Sequence, residues 1–164
     1  MKKNESDEIT CVKIVDLGGS KDAFDDKTAT LNGKTLGTMR YRAPPSMGAT
    51  YISDDMYSFG MTLWELLAEE KPFDAELCKV KDVYTNFDIS GFAAQGEKNR
   101  PDIRKIGADC PTEIGQLIRQ CWHPQAMERP TIEVACEMLK RAHNNLFNSH
   151  KSEKRKRSSQ EEQQ

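Results

Sequence analysis

DMYSFGMTLWELL, residues 55–67, is the stretch that decides the fold of this chain. Its apolar side chains cover most of the circumference of a helix, and a helix that is apolar on nearly every side is a buried one. Ser53 or Asp54 can cap its start, and the sequence Lys-Pro-Phe at 71–73 ends it because proline does not continue a helix. The pattern therefore predicts a buried central helix over about residues 53–69.

Two amphipathic segments follow toward the C-terminal end. The first opens at Pro111, which suits a first helical position, and its apolar residues have the spacing i, i+3, i+4, i+7: Ile114, Leu117, Ile118 and Cys121. The second opens behind a capping residue, Thr131, and repeats this helical spacing with Ile132, Ala135, Cys136 and Leu139. Together with the central helix, these segments predict a mainly α fold, a helical bundle around a buried central helix.

The remaining segments predict a short strand and a long loop at the start of the chain. CVKIVDL, residues 11–17, has the composition of a short strand and is followed by Gly18-Gly19. Residues 19–38 are polar, and a loop of that length in a compact domain is usually functional or disordered. Residues 76–95 predict a weaker helix, and residues 96–109 predict a loop.

Composition and charge argue against several classes of protein. The 24 Lys and Arg residues and 26 Asp and Glu residues give a net charge of −2, so nucleic acid is not an expected partner. No apolar run approaches the roughly 18–20 residues of a membrane span, so no membrane association is expected. The five cysteines are odd in number and widely spaced, which indicates a reducing compartment. Cys121 precedes Trp122-His123, but a small buried residue is favoured there over a reactive thiol.

Four motifs, in this order along the chain, resemble those of protein kinases. VDLGGS at 15–20 resembles the strand followed by Asp-Phe-Gly, and GTMRYRAPP at 37–45 resembles the segment G-T-x-x-Y-x-A-P-E. DMYSFGMTLWELL resembles the central helix of the C-terminal lobe, and CWHPQAMERPT at 121–131 resembles the element that ends in Arg-Pro. The resemblance covers residues 11–143 and is strongest to the tyrosine-kinase-like branch with Ser/Thr-type motifs. It implies a partial kinase domain, most of a C-terminal lobe.

The resemblance implies roles for the residues of the first motif and the loop after it. Asp16 would ligate the Mg²⁺ that bridges the phosphates of ATP, although an aspartate there can also simply cap a turn. Leu17 would fill an apolar pocket beside Gly18. The 19–38 loop would be an activation segment, which phosphate can order by pairing with arginines. Its candidate phosphorylation sites are Thr28, Thr30 and Thr35, although threonine is also common in loops.

The later motifs carry further implied roles. Thr38 and Tyr41 would lie in the segment that presents the protein substrate, and Thr38 favours serine or threonine as the target. Arg40 between them has no assigned role and is expected to be a solvated charge. Asp55 would anchor the backbone of the catalytic loop, or else be a first-turn carboxylate that the helix dipole favours. Arg129 would form a buried ion pair with the glutamate of A-P-E.

Two departures from the family pattern matter. Pro45 stands where that glutamate is expected, so either another carboxylate pairs with Arg129 or this corner of the domain is loose. The sequence also contains no G-x-G-x-x-G loop, no V-A-I-K lysine and no H-R-D-x-x-x-x-N loop. Phosphoryl transfer depends on positioning and electrostatics, so the chain alone is expected to be inactive, with doubtful binding of the family's ATP and Mg²⁺.

Three interpretations of the whole chain follow. It is part of a longer Ser/Thr protein kinase whose N-terminal lobe lies elsewhere, a naturally truncated kinase-like module or decoy that binds proteins, or a helical protein whose resemblance misleads. A lobe without its usual neighbours is also expected to be poorly stable and to expose apolar surface.

The expected organisation has three parts. A polar segment occupies residues 1–10, the partial kinase domain 11–143, and a disordered basic and polar tail 144–164. Lysines and arginines cluster at 151–157 of that tail, as a solvated end or as a nuclear-localisation signal in an otherwise cytoplasmic protein.

Overall fold

Helices account for most of the regular structure in the computed structural model. The structure describes residues 2–3, 9–15, 28–29, 39–44, 50–74, 93 and 96–161. Helix α1 spans Asp54–Ala68, α2 spans Thr112–Cys121 and α3 spans Ile132–Glu161. The prediction of a mainly α fold is therefore confirmed, as are the three helices that the apolar spacing indicated.

Four short strands form two antiparallel pairs. Strand β1, Lys2–Lys3, pairs with β2, Ile9–Cys11, and β3, Thr28–Ala29, pairs with β4, Thr50–Tyr51. The strand predicted over residues 11–17 thus overlaps β2 only at Cys11, which is the last residue of β2. Residues 12–15 have no regular structure, and the side chains of Val12, Ile14 and Val15 are exposed. That part of the prediction is wrong because, within the described ranges, no second strand pairs with these residues.

Short 3-10 turns connect the helices. They span Met39–Tyr41, Glu97–Asn99, Ile103–Lys105 and Ala126–Glu128. Two of them lie in the predicted loop of residues 96–109, where the Asp102 carboxylate accepts a hydrogen bond from the backbone N–H of Arg104 at 3.0 Å. Apart from Ala93, the weaker helix predicted over 76–95 lies outside the described residues, as does most of the 19–38 loop.

Helix α1 is central, but it is not buried on every side. One face is buried, with Met56, Tyr57, Gly60, Met61 and Trp64 along it. Leu66 is 72% exposed, which departs from the prediction of a helix buried all round. Ser53 occupies the N-cap position without a capping side-chain bond. The helix ends when Glu69 adopts the left-handed conformation and its N–H bonds to the Glu65 carbonyl, before the proline is reached.

A glycine allows α1 and α2 to approach closely. A Cβ atom at Gly60 would lie 2.6 Å from the Cβ of Cys121, which is closer than two carbon atoms can pack. Around this crossing, Tyr57, Met61, Trp64, Ile118 and Trp122 belong to one buried cluster. A second cluster joins α1, α2 and α3 and consists of Met56, Leu117, Cys121 and Ala135.

Helix α3 begins as predicted and continues further than predicted. Thr131 caps it, because its Oγ1 accepts a hydrogen bond from the Val134 N–H at 3.4 Å. The helix then runs through Glu161, so the prediction of a disordered tail is not met over residues 144–161. This stretch contains neither glycine nor proline and is rich in residues that favour helix. The division at residues 10 and 143 stays a prediction.

Candidate functional site

The structure describes only part of the predicted site. Asp16, Leu17, Gly18, Thr30, Thr35, Thr38 and Pro45 lie outside the described residues. Thr28 begins strand β3, and only its backbone is described. Tyr41, Asp55 and Arg129 are described together with their surroundings.

Tyr41 attaches the Met39–Tyr41 turn to the central helix. Its hydroxyl donates a hydrogen bond to Oε2 of Glu65 at 2.6 Å. Burial, and then the hydrogen bond to Glu65, raise the pKa of Tyr41 to about 12, so the phenol stays protonated at neutral pH. A donated bond to a carboxylate is stronger than one between neutral groups, and it fixes this turn on α1.

Arg40 makes a second attachment from the same turn. Its Nη1 donates to the backbone carbonyl of Pro72 at 2.8 Å and forms an ion pair with Asp74. The expectation that Arg40 is a solvated charge is therefore wrong, since its side chain is only 25% exposed and has two partners. The turn is held at α1 by Tyr41 and at the segment just after α1 by Arg40.

Arg129 has a carboxylate partner, which answers the question raised by Pro45. Its Nη1 lies 2.6 Å from Oδ1 of Asp54, and its guanidinium also donates to the carbonyls of His123 at 3.0 Å and Ser53 at 3.3 Å. The Arg129 side chain is only 2% exposed. A buried guanidinium needs both a counter-charge and satisfied donors, and this corner supplies both. Of the two alternatives left open by the sequence, the substituting carboxylate is the observed one.

Tyr57 lies between two arginines. The guanidinium carbon of Arg129 is 5.2 Å from the ring centroid of Tyr57, and that of Arg100 is 5.3 Å from it. Both distances are within the range of cation–π attraction. Burial raises the pKa of Tyr57 to about 12, against the opposing effect of the two positive charges. Among the described residues, no group is hydrogen-bonded to the buried Tyr57 hydroxyl.

Arg100 is the structural residue that the sequence analysis missed. Its Nε donates to the Trp122 carbonyl at 3.0 Å and its Nη1 to the Ala93 carbonyl at 2.6 Å and the Gly96 carbonyl at 3.2 Å. It therefore ties the loop before α2 to the end of α2. A signal was present, because Arg100-Pro101 repeats the dipeptide Arg129-Pro130.

Asp55 and Cys121 have surroundings that limit their roles. Asp55 is an exposed residue in the first turn of α1. Partial burial of its carboxyl group, and then the neighbouring charge of Asp54, raise the pKa of Asp55. The described residues include no catalytic loop for it to anchor, so that role stays a prediction.

Cys121 is fully buried, and burial raises the pKa of its thiol to about 12. A reactive thiol is excluded there, since the thiolate is the nucleophile.

The described part of the chain offers neither a metal site nor a membrane span. Across the described ranges, His, Cys, Asp and Glu side chains form no group of three or more that could hold a metal ion. The predicted magnesium ligand, Asp16, lies outside the described residues. Within those ranges, no helix combines the length and apolar character needed to cross a bilayer.

Comparisons with known proteins match the sequence of this chain to one family. The family model described as protein tyrosine and serine/threonine kinase matches residues 6–139. A LIM domain-containing serine/threonine-protein kinase of Dictyostelium discoideum is 32% identical over 82% of this chain and 18% of its own length.

Two human proteins are also similar. The receptor-interacting serine/threonine-protein kinase 1 is 33% identical over 65% of this chain and 15% of its own length. The proto-oncogene tyrosine-protein kinase ROS is 28% identical over 84% of this chain and 6% of its own length. The chain thus spans less than a fifth of the length of these relatives. By the family model and this shared sequence, the chain belongs to the protein tyrosine and serine/threonine kinase family.

Proposed function

We propose that this chain supplies the substrate-side part, most of the C-terminal lobe, of a serine/threonine protein kinase. The reaction of the whole kinase would be transfer of the ATP γ-phosphoryl group to a protein serine or threonine. The observation that carries the proposal is the double attachment of the Met39–Tyr41 turn by Tyr41 to Glu65 and by Arg40 to Pro72 and Asp74. In the family this turn belongs to the segment that presents the protein substrate, and attachment at both sides would hold that segment in place.

The chemistry of phosphoryl transfer sets what this chain can contribute. Such transfer needs positioned phosphates, a metal and a base or orienting residue. By family membership, Asp16 would hold the magnesium ion and Thr38 would favour serine or threonine over tyrosine. The printed sequence contains no nucleotide loop, V-A-I-K lysine or H-R-D loop. We therefore propose that the isolated chain neither binds ATP–Mg²⁺ usefully nor catalyses transfer.

Regulation and location follow from the same proposal. Thr28, Thr30 and Thr35 are the candidate activation sites, and phosphopeptide analysis of the protein from cells tests them, since a complete absence of modification would remove the idea. The protein would be cytoplasmic, with nuclear entry promoted by the basic cluster of residues 151–157. Fusing residues 144–164 to a fluorescent reporter tests that role, and a purely cytoplasmic signal would count against it.

A protein-binding module or decoy is the second candidate. It is favoured by the way the described fold is held together, because the contacts of Arg100 and Arg129 with Tyr57 need no nucleotide. A module of this kind would keep the substrate-side surface without the reaction. The module would bind a protein partner whether or not ATP is present. A kinase, by contrast, would bind its protein substrate productively only when ATP is present.

Two measurements separate the candidates. Sequencing the transcript through the region before Met1 should reveal codons for H-R-D and the nucleotide loop if the kinase proposal is right. A message whose coding region starts at Met1 would instead favour the module. Calorimetric titration of the chain with ATP–Mg²⁺ should give no binding heat, and micromolar binding would contradict the proposed inactivity.

The kinase proposal also has a direct test in the longest product that the gene encodes. That product should phosphorylate peptides on serine or threonine, and Asp16→Ala should abolish the transfer. Lys140→Ala, an exposed change on α3, should leave it intact. Tyrosine-only transfer, or full activity of Asp16→Ala, would contradict the assigned roles.

A further inference from the structure

The loop before α2 and the C-terminal end of α2 line a groove of about 470 Å³. This size is within the range of pockets that hold small ligands or a short run of side chains. Four cationic side chains line it: Lys98, Arg100, Arg104 and Arg119. We propose that this groove, called here the basic groove, docks an acidic segment of a partner protein, independently of any phosphoryl transfer.

The charge of the basic groove is the first argument. Its lining includes one carboxylate, Asp102, and that carboxylate is already engaged by Arg104. Nε of Arg104 lies 2.9 Å from Oδ1 of Asp102, and its Nη2 lies 2.8 Å from Oδ2. Asp102 therefore neutralises Arg104, and the guanidinium of Arg100 is held by backbone carbonyls, so the cations that face a ligand are Lys98 and Arg119. The chain as a whole has a net charge of −2, so the sign of this surface is opposite to that of the protein.

The accessibility of two cations is the second argument. Lys98 and Arg119 are both exposed, one on the loop and one on α2. Among the described residues, neither of them has an ion-pair or hydrogen-bond partner. Lys98 and Arg119 both line the groove, so each can take a carboxylate from an extended peptide. Such contacts lie at the rim and are screened by salt, so the affinity should depend on ionic strength.

The remaining lining favours a peptide over a nucleic acid. Ile103, which is half-buried, adds apolar contact surface suited to an aliphatic side chain, and Pro101 and Trp122 line the groove as buried residues. Trp122 is only 4% exposed and cannot offer a ring face on which a base would stack. Single-stranded nucleic acid would need both a longer basic track and such a platform. An acidic peptide needs neither.

Fluorescence anisotropy on the full chain tests the proposal. The probe is a fluorescein-labelled decapeptide of alternating glutamate and leucine, and its glutamine-for-glutamate counterpart is the control peptide. At low salt, the acidic peptide should bind saturably and the glutamine peptide should not. We expect the double variant Lys98→Glu, Arg119→Glu to weaken binding by roughly tenfold, as loss of two rim charges implies.

A matched double variant controls for overall charge. Lys140→Glu, Lys151→Glu changes the net charge by the same amount at exposed positions of α3 outside the groove, and it should bind like the unaltered chain. Equal weakening in the two double variants, or no saturable binding by the unaltered chain, would overturn the proposal. If the groove variant does not fold, the single change Arg119→Gln, with an expected loss of roughly threefold, replaces it.

Discussion

Arg129 and Asp54, which are 75 residues apart in the sequence, form an ion pair with Nη1 2.6 Å from Oδ1 and with the arginine side chain buried. By the family pattern, the expected partner of that arginine is a glutamate at the position that Pro45 occupies in this chain. The partner here comes instead from the first turn of the central helix. Arg129 thereby links the start of α1 to the 3-10 turn before α3, and the Tyr57 ring lies beneath it.

Asp54→Asn tests the importance of this pair. The change leaves the buried guanidinium without its carboxylate, and we expect a loss of about 1–3 kcal/mol in the free energy of unfolding. Urea denaturation at pH 7 measures it. Because Asp54 is itself partly exposed, the loss should fall at the lower end of what buried pairs show. An unchanged midpoint would mean that the pair contributes nothing to stability.

Asp55→Asn is the control and carries its own expectation about pH. The pKa of Asp55 is raised in the folded state by burial and by Asp54, so folding favours the protonated form. Its contribution to stability is therefore present below the ordinary pKa near 3.8 and is lost as the pH rises through the folded pKa. At pH 7 the variant should be as stable as the unaltered chain or slightly more so. A large loss at pH 7 would point to a structural contact that the described residues do not include.

Gly60→Ala should separate α1 from α2. The added Cβ would lie 2.6 Å from the Cβ of Cys121, so the helices must move apart, at a cost of about 1–3 kcal/mol. Gly115→Ala is a matched control, because no atom of the described residues, outside the backbone of its own helix, lies within 4 Å of the Cβ it would add. That control should stabilise α2 by about 0.5–1 kcal/mol through helix propensity. Thermal unfolding of both variants gives the comparison, and similar shifts in Tm would disprove the close crossing.

Tyr57 variants separate the ring from its hydroxyl. Tyr57→Phe keeps the ring between Arg100 and Arg129 and removes a buried hydroxyl that has no partner among the described residues, so stability should change little or rise. Tyr57→Leu removes both cation–π contacts and should cost about 2–4 kcal/mol, including the lost packing. Denaturant unfolding distinguishes them. Greater destabilisation by Phe than by Leu would contradict this account of the ring.

Tyr41→Phe should loosen the turn that carries the proposed substrate segment. It removes the hydrogen bond to Glu65 and should lower the free energy of unfolding by about 1 kcal/mol at pH 7. The pKa of Tyr41 is raised to about 12, so the stability it contributes is present below pH 10 and is lost as the pH rises toward 12. The difference between the two proteins should therefore shrink over that range. If the difference in the free energy of unfolding between the two proteins is constant from pH 7 to 12, the phenol of Tyr41 does not titrate in this range as expected.

The helices were predictable because local rules determine them. The apolar spacing of residues 114–121 and the threonine at 131 predict helices that begin within a residue or so of the observed α2 and α3. Pro111 lies one position before α2 instead of at its first position, an offset expected when helix ends depend on backbone detail. The tail was harder to predict, because a polar composition does not distinguish a disordered segment from a solvated helix.

The partners of the arginines could not be read from the sequence. Arg40 looked like a solvated charge because nothing near it in the chain pairs with it, and its partner Asp74 is 34 residues away. The acceptors of Arg100 are backbone carbonyls placed by folding, including that of Trp122, which is 22 residues away. Hydrogen-bond acceptors of this kind have no signature in a residue pattern.

The sequence by itself determined the family and the order of the helices, because these follow from motif order and apolar periodicity. Only the tertiary structure decided that Asp54 takes the place of the expected glutamate and that Tyr57 lies between Arg100 and Arg129. It also decided that Lys98 and Arg119 face one groove. The reason is physical: a buried charge is satisfied by whichever group the packed backbone brings within hydrogen-bond distance, however far away that group lies in the chain.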